Sequence, residues 1–568
     1  MTDYEKIAEL LYPNIKKTVN DYINMYPARK LPDGAEVTRL APSPTGYLHI
    51  GQLFQCLVNK RIADQSKGVF YVRLEDTDQK REVAGAGPIM AEMINYFAPY
   101  TEGFHDYNKQ NGDYGSYIQS ERQAIYLCFA KDLVSRGLAY PCFCSSDDDD
   151  DESCDYREEQ KKLGVPTGYY GKWAKCRNLT YEEVKANIDA GKKYTIRIKA
   201  NGNGTEKMVH KDLLRGSIVF PKNFVDYVLI KSTGLALYHM AHVVDDTLMH
   251  TSTVIRGEEW LSSVPLHYQL FEYFGLKAPK YLHTNLLMTT DANTGNTRKI
   301  SKRYDPWADC RWFIEQGFPK EAIIEYVLNL ANSAFEPWRT ANPNADINEY
   351  ILKTGNMGKS GAMFDMVKLV DVSKNVIAKM KAPEIYSRVL LWAKKYDITL
   401  AYLLERDKEY AISIFAMDRD NKPRPRKDTA KWSEIKEFYS YMWDDLYLSK
   451  ERNYDFEEET KLKDIKELLE RYILVYSASD DNQTWFNKVK ETASLCGYCT
   501  DMKEYKLNPE KYKGSIRTAS TIIRVAITGI RETPDLCEIM KILGEKVVHA
   551  RIVETILAIE EFIKNGIE

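Results

Sequence analysis

His49, Gly51, Lys299 and Lys302 are the residues of this chain whose types and spacing suit phosphate chemistry. In His49-Ile50-Gly51-Gln52 an imidazole and a glycine stand where a strand pattern hands over to a helix pattern. A glycine lets a phosphate come close to the backbone, and a helix N-terminus favours anions. In Lys299-Ile300-Ser301-Lys302-Arg303 three cations fall within five residues, behind the turn-forming run Asp291 to Asn296. That pattern predicts a mobile basic loop able to close on a triphosphate and to stabilise charge on a leaving pyrophosphate. Taken singly, each segment reads as a packed loop or a solvated turn. Their placement on one sheet is what joins them.

The elements that must position them are legible in the apolar pattern. Glu36 to Ala41 reads as a strand running into the turn-rich Pro42-Ser43-Pro44-Thr45-Gly46, Leu53 to Gln65 as a helix, and Val69 to Leu74 as a second strand. Strand, helix and strand at these spacings predict a βαβ unit and a parallel sheet. Ligands bind such sheets beyond the carboxyl ends of the strands. The His49 loop and Glu75-Asp76-Thr77-Asp78 both fall there. Between Tyr140 and Pro221 the pattern breaks into short strands such as Tyr194 to Ile198, which predicts a domain inserted into the sheet. The runs Val225 to Ile230 and Ser252 to Arg256 predict that the sheet resumes and reaches the Lys299 loop. Residues 1–35 read as one or two amphipathic helices ended by Pro32-Asp33-Gly34. Beyond about residue 320 amphipathic helical patterns dominate.

At 568 residues the chain is too long for one core, and three to five domains are expected. Its 44% hydrophobic and 28% charged content is that of an ordinary globular protein. A net charge of −3 and a pI of about 6.4 neither exclude nor require nucleic acid, because affinity follows the phosphates neutralised locally. The N-terminus has no signal-peptide core or membrane-spanning length, and the ten cysteines lack the density of a disulfide scaffold. A cytoplasmic location with thiols reduced or on a metal is expected. Cys496 and Cys499 form one isolated pair and read as free thiols, and the acidic run Asp147 to Glu152 reads as a solvated loop.

The two basic and imidazole loops together resemble the HIGH and KMSKS elements of class I aminoacyl-tRNA synthetases. The stretch Arg39-Leu40-Ala41-Pro42-Ser43-Pro44-Thr45-Gly46-Tyr47-Leu48-His49-Ile50-Gly51 resembles the opening motif of bacterial-type glutamyl-tRNA synthetases. Further stretches similar to that family are Leu74 to Asp78, Tyr238 to Asp246, Val254 to Trp260, and Ala526 to Gly529 followed by Thr533-Pro534. The resemblance runs in order from about residue 36 to the end. It implies a Rossmann-like α/β catalytic domain with an inserted acceptor-binding domain and an all-α anticodon-binding region. On that template residues 1–35 are an N-terminal helical extension and 36–140 the first half of the catalytic domain. The insert spans 141–224, the second catalytic half 225–325, a stem-contact helical domain 326–390, and the anticodon-binding domain 391–568.

The activity it implies is glutamate–tRNA ligation. L-Glutamate would be activated with ATP and Mg²⁺ to the adenylate, then passed to tRNA(Glu), and to tRNA(Gln) as well if the anticodon contacts allow. A glutaminyl-tRNA synthetase and a catalytically dead tRNA-binding scaffold are the alternatives. Carried over residue by residue, Arg39, Ser43, Glu75, Tyr238, His242 and Arg256 would bind glutamate, with Arg39 on the side-chain carboxylate and Glu75 on the ammonium. His49, Gly51, Glu259 and Lys302 would bind ATP, and Lys299 would join His49, Gly51 and Lys302 in catalysis. Gln52 departs from the family motif. His242 stands where an asparagine often contributes, and a histidine there would make glutamate affinity pH-dependent. Cys142, Cys144 and Cys176, with Tyr170 or Cys154 as fourth ligand, resemble the structural zinc site of some relatives. Arg424 and Arg426 lie in a basic stretch similarly placed to one that meets the anticodon, where guanidinium groups can stack on unstacked bases. A monomer is the family default.

Overall fold

The computed structural model describes the chain apart from residues 79, 145–154, 292, 420–421, 451–453, 458–459 and 566–568. The chain forms two compact units, Met1–Phe313 with Ile323–Met366 and Ile314–Ala322 with Val367–Glu568.

In the first unit, β1 (Val37–Leu40) is followed by the helix Ile50–Gln65 and by β2 (Val69–Val72). The two strands pair in parallel from Val37 against Val69 to Leu40 against Val72. β3 (Glu102–Asp106) adds in parallel on β2, and β4 (Lys109–Asn111) returns antiparallel. After β5 (Ala139–Cys142) and β6 (Thr195–Ile198) comes the hairpin of β7 (Lys207–Asp212) and β8 (Gly216–Pro221). β9 (Val228–Ile230), β10 (Thr253–Gly257) and β11 (Lys280–Thr284) follow. β10 and β11 pair in parallel, and β7 joins β11 through Asp212 opposite Tyr281. The two sheets abut along β1 and β10, where Ser252 N donates to the Val37 carbonyl at 3.0 Å. Every position of β1 and of β10 is buried, as for parallel strands covered on both faces. The carboxyl ends of β1, β2, β10 and β11 therefore open on one edge.

One expectation is corrected. Val225 to Ile230 does not resume the parallel sheet, because β9 pairs antiparallel with β6, which pairs antiparallel with β5. The run Val228-Leu229-Ile230 is buried on both faces, and such a run reads the same in either sheet. The parallel sheet resumes at β10.

The helix Asp3–Leu11 is capped by a reciprocal Thr2–Glu5 box and sends Ile7, Ala8 and Leu11 into the core that also holds Phe129 and Leu133. Arg29 clamps Glu102 with both Nη atoms and donates from Nε to the Met249 carbonyl at 3.0 Å. The N-terminal residues thus belong to the core of the first unit.

The described elements of the second unit are helices, joined by loops and by one isolated bridge between Cys499 and Ser515. One of its cores gathers Val389, Leu400, Leu404 and Trp443, another Leu468, Ala493, Ile523 and Ile552. No described helix is long and apolar enough to cross a membrane.

Candidate active site

A cleft of about 950 Å³ opens at the carboxyl ends of β1, β2 and β10, near the upper end of the range for small-molecule sites. His49, Gly51, Gln52 and Lys299 line it together with Arg39, Ser43, Glu75, Tyr238, Arg256 and Glu259.

His49 is the N-cap of the helix Ile50–Gln65, and its Nδ1 accepts the Gly51 N–H at 3.0 Å. Gln52 completes the box by accepting the His49 N–H at 2.9 Å. Its departure from the family motif therefore has a capping role at the cleft wall. Burial, with Lys302 and Lys299 nearby, pushes the His49 imidazole down to about 4. The ring is neutral, and with Nδ1 accepting, its proton sits on Nε2. A Cβ at position 51 would meet the His49 Nδ1 at 3.3 Å, so the glycine keeps that approach open.

The Lys299 segment, expected as a mobile basic loop, begins on a hairpin strand and continues as a turn through Lys302 and Arg303. β12 (Leu287–Thr290) and β13 (Thr297–Lys299) form a hairpin, with Met288 opposite Lys299. Asp291 Oδ1 accepts the N–H groups of Asn293 and Thr294 at 3.0 Å and shapes the turn. Arg298 is held by Asp305 through two bonds of 2.7 and 2.8 Å and by Asp291 at 2.9 Å. Asp305 also accepts the Ser301 N–H at 2.9 Å. Asp291 and Arg298 meet across a hairpin turn, and hairpin pairing is not visible in residue spacing until the turn and its register are known. Lys302 donates to the Tyr47 carbonyl, tying the segment back to the His49 loop.

The end of the cleft lined by Arg39 and Glu75 rests on a buried charge network. Arg39 Nε lies 3.1 Å from Asp246 Oδ2. Arg73, fully buried, pairs with Asp246 at 2.7 Å and Glu75 at 3.1 Å, and Arg122 pairs with Asp245 at 2.7 Å. Gln119 lines the cleft and donates to Asp245 at 3.0 Å. Burial pushes the Glu75 carboxyl up, opposed by Arg73 and Arg39, while those same arginines hold Asp246 well below the carboxylate range against its own burial. Asp245 and Asp246 stand at the end of the family-like stretch Tyr238 to Asp246, where no role was assigned to them, and Arg73 and Gln119 were not singled out in the sequence. The four-residue step from His242 to Asp246 on the helix Tyr238–Leu248 puts both on one face and was the available signal.

Tyr238 and Arg256 meet in the cleft wall, Arg256 Nη1 donating to the Tyr238 hydroxyl at 3.0 Å. His242 is a correction. It is fully buried behind Tyr238, with its ring stacked on it at 5.5 Å, and does not line the cleft. Its Nδ1 lies 2.7 Å from Asp246, and its Nε2 3.0 Å from the Tyr281 hydroxyl. Burial pushes its imidazole down to about 3, so it stays neutral near pH 7 and supplies no titration there. Its place on the motif gave its sequence position but not its depth in the helix packing.

In the insert, the Sγ atoms of Cys142, Cys144 and Cys176 lie within 4.8 Å of one another. The neighbouring tyrosine is Tyr169, not Tyr170. Tyr169 Oη is 3.4 Å from Cys144 Sγ and accepts the Cys176 N–H at 3.2 Å, whereas Tyr170 donates to the Pro166 carbonyl at 2.6 Å. The two adjacent tyrosines are indistinguishable by spacing alone, and backbone direction decides between them. Hydrogen bonds from Cys144 and Cys176 hold the Cys142 thiol below its ordinary range, with Arg197 helping. Three converging sulfurs that favour a thiolate suit a soft cation. Cys154 and the acidic run Asp147 to Glu152 lie outside the described residues. Cys496 and Cys499 are free and buried.

In the second unit Arg424 is exposed, while Arg426 is paired with Asp428 at 2.8 Å. A separate cleft of about 400 Å³ is lined by Trp485, Phe486, Ser520 and Arg524 beside Asp535-Leu536. The sequence reading had named its neighbours Thr533 and Pro534 but not Arg524, whose Nη1 donates to the Pro534 carbonyl at 2.8 Å.

Residues 36–369 match the family described as tRNA synthetases class I (E and Q), catalytic domain, and residues 510–556 match an anticodon binding domain. The chain is 46% identical to a glutamate–tRNA ligase of Clostridium perfringens (strain 13), covering 97% of this chain and 100% of that protein. It is 44% identical to a glutamate–tRNA ligase of Acetivibrio thermocellus over 97% of this chain and 99% of that one. The solved glutamate tRNA ligase of Elizabethkingia meningosepticum superposes with a TM-score of 0.69 at 23% identity, covering 92% of this chain and 99% of that one, a likeness of fold.

Proposed function

The chain belongs to the class I tRNA synthetases of the glutamate and glutamine type, and on that premise we propose how its cleft works as a glutamate–tRNA ligase. The observation that carries the reading is one cleft lined by a phosphate-type loop pair, His49–Gly51 and Lys299, and by Arg39, Glu75 and Arg256.

ATP would lie along the amino end of the helix Ile50–Gln65, with its phosphates received by the His49 Nε2–H and brought close over the side-chain-free Gly51. Glu259 would face the nucleotide. L-Glutamate would lie between Arg39, Ser43, Glu75, Tyr238 and Arg256, its ammonium on Glu75 and its carboxylates on the guanidinium groups. Its α-carboxylate attacks the α-phosphate in line, a new P–O bond forms, and the bond to pyrophosphate breaks. No protein nucleophile is required, so positioning and charge stabilisation do the catalysis. Lys299 and Lys302 would take up the charge that develops on pyrophosphate. The terminal ribose hydroxyl of tRNA(Glu) then attacks the adenylate's carbonyl carbon and AMP leaves.

Among the described residues no cluster of three carboxylates or imidazoles lines the cleft, so Mg²⁺ would ride on the triphosphate and supply charge neutralisation there. Cys142, Cys144 and Cys176, with Tyr169 as the oxygen donor, would hold a structural zinc. Arg424, Arg426 and Arg524 would meet the anticodon, as a monomer in the cytoplasm.

The test is ATP–pyrophosphate exchange with purified tRNA(Glu), using glutamate and then glutamine. Exchange with glutamate alone is expected, and no exchange with either amino acid overturns the reading. Charging assays on tRNA(Glu) and tRNA(Gln) then give the tRNA range.

A further inference from the structure

Arg39 and Arg256 line the same cleft in opposite electrostatic surroundings. The charge of Arg39 is matched by Asp246 at 3.1 Å. Arg256, 4% exposed, has no carboxylate at ion-pair distance among the described residues. Its guanidinium is hydrogen-bonded instead to neutral groups. Nε donates to His283 Nε2 at 3.0 Å, and Nη1 to the Tyr238 hydroxyl at 3.0 Å. His267 Nδ1 lies 3.3 Å from both Nη atoms. Tyr281 adds its ring face at 4.9 Å.

The protonation of this cradle is forced by chemistry. A guanidinium only donates, so His283 Nε2 and His267 Nδ1 are the unprotonated nitrogens. Asp212 accepts the His283 Nδ1–H at 2.7 Å and the backbone N–H of His283 at 3.0 Å. Asp212 is itself anchored by the N–H groups of Leu214 and Arg215 at 2.9 Å. The remaining His267 proton, on Nε2, faces His239 Nδ1 at 3.0 Å. Burial keeps these rings neutral, pushing His283 and His239 down to about 4 and His267 well below its ordinary value. His210, Asp212 and His283 also have the composition of a metal triad. The 2.7 Å between Asp212 Oδ2 and His283 Nδ1 argues against that use, since two donors about 2.1 Å from one ion sit about 3.3 Å apart.

We infer that His283 and His267 are positioning residues for Arg256, solvating its guanidinium without neutralising it so that the charge is left for a substrate carboxylate. The inference rests on the glutamate-activating reading of the cleft. Asp212 fixes the tautomer of His283, and His283 fixes the plane of the guanidinium. A buried cation without a counter-ion is unfavourable, and an incoming carboxylate supplies the missing charge. The cradle therefore acts on the amino acid and not on ATP.

Two pairs of variants test it in tRNA-dependent exchange, with KM for glutamate and for ATP measured separately. Replacing the acceptor in His283→Leu should raise glutamate KM about tenfold or more, as expected for a lost hydrogen bond to a charged group, with ATP KM within about twofold. His283→Gln, which keeps an acceptor, should recover most of it. His267→Asn and His267→Asp share a shape and differ in charge, and the aspartate should raise glutamate KM about tenfold above the asparagine by neutralising Arg256. A packing role would move the two His267 variants together, and equal glutamate KM for that pair overturns the inference. So does His283→Leu with unchanged glutamate KM in a chain that exchanges normally. If the unaltered chain exchanges with no amino acid, the glutamate reading falls and this inference falls with it.

Discussion

Glu75 sits where two demands on a carboxylate conflict. On the proposed reading it must be ionised to hold the substrate ammonium, yet its burial in the cleft pushes its pKa up, with Arg73 and Arg39 opposing the shift. The sign of the consequence follows directly. As pH falls, a carboxyl with a raised pKa protonates earlier than an ordinary glutamate, and its grip on the ammonium is lost earlier. The kcat/KM for glutamate should therefore fall on the acid side with a midpoint above the ordinary glutamate value. Glu75→Gln should remove that limb and raise glutamate KM roughly 10–100-fold, the range for a hydrogen bond to a charged partner. Exchange kinetics from pH 5 to 8 on both forms check this, and an acid limb that survives in the glutamine variant rules Glu75 out as its source. At this scale the motif residues were legible because arginine, glutamate and histidine at strand ends announce charge chemistry. Their depth was not. His242 and Tyr170 were assigned by sequence position, whereas fully buried His242 lies behind Tyr238, and the tyrosine hydroxyl at the thiols belongs to Tyr169. Arg73 and Asp246, on which the cleft charges rest, are paired 173 residues apart.

At the scale of elements, βαβ patterning read the first half of the sheet well, since β1, the helix Ile50–Gln65 and β2 follow the expected order with no end shifted by more than three residues. What it could not read was pairing. An apolar run such as Val228 to Ile230 has no preference between a parallel and an antiparallel neighbour until its partner is known. The Lys299 segment carries the same lesson into function. Its turn formers and cations announced a mobile basic loop but not the brace, in which Asp291 and Asp305 hold Arg298 with Lys299 at the end of a hairpin strand. If Lys299 meets the triphosphate as proposed, the brace on Arg298 holds the Lys299 backbone in place beforehand, which lowers the ordering cost of the reaction. Asp305→Ala removes both Arg298 bonds and the acceptor of the Ser301 N–H. The expected result is an exchange kcat about tenfold lower with glutamate KM within about twofold, because only a group acting on the departing phosphates is displaced. Steady-state exchange separates the two constants. A variant in which glutamate KM rises and kcat holds would show that the hairpin serves the amino acid instead.

For the whole molecule, the cleft residues from Arg39 to Ile300 all belong to the first unit, and the helical unit has cores of its own. Separate cores predict separate cooperative transitions, so that damage to one unit should leave the chemistry of the other intact. Arg551 offers a clean test. Its side chain is 3% exposed, lies 3.7 Å from the Tyr447 ring, donates to the carbonyls of Tyr441 and Ile527, and pairs with Asp444 at 2.9 Å. Truncating it leaves two buried carbonyls without their donor, a loss of about 3 kcal/mol at 1–3 kcal/mol for each unsatisfied group. For a unit of about 200 residues that corresponds to a Tm lower by roughly 6–12 °C. Calorimetry on Arg551→Ala should show one transition moved by that amount and another unmoved. In exchange assays KM for glutamate and ATP should stay within about twofold, while KM for tRNA rises if the cleft at Trp485 and Arg524 meets the anticodon as proposed, because it shares the core that Arg551 supports through Ile527. A single transition that shifts as a whole, accompanied by weaker binding of ATP and glutamate, would mean that the two units fold and work as one body.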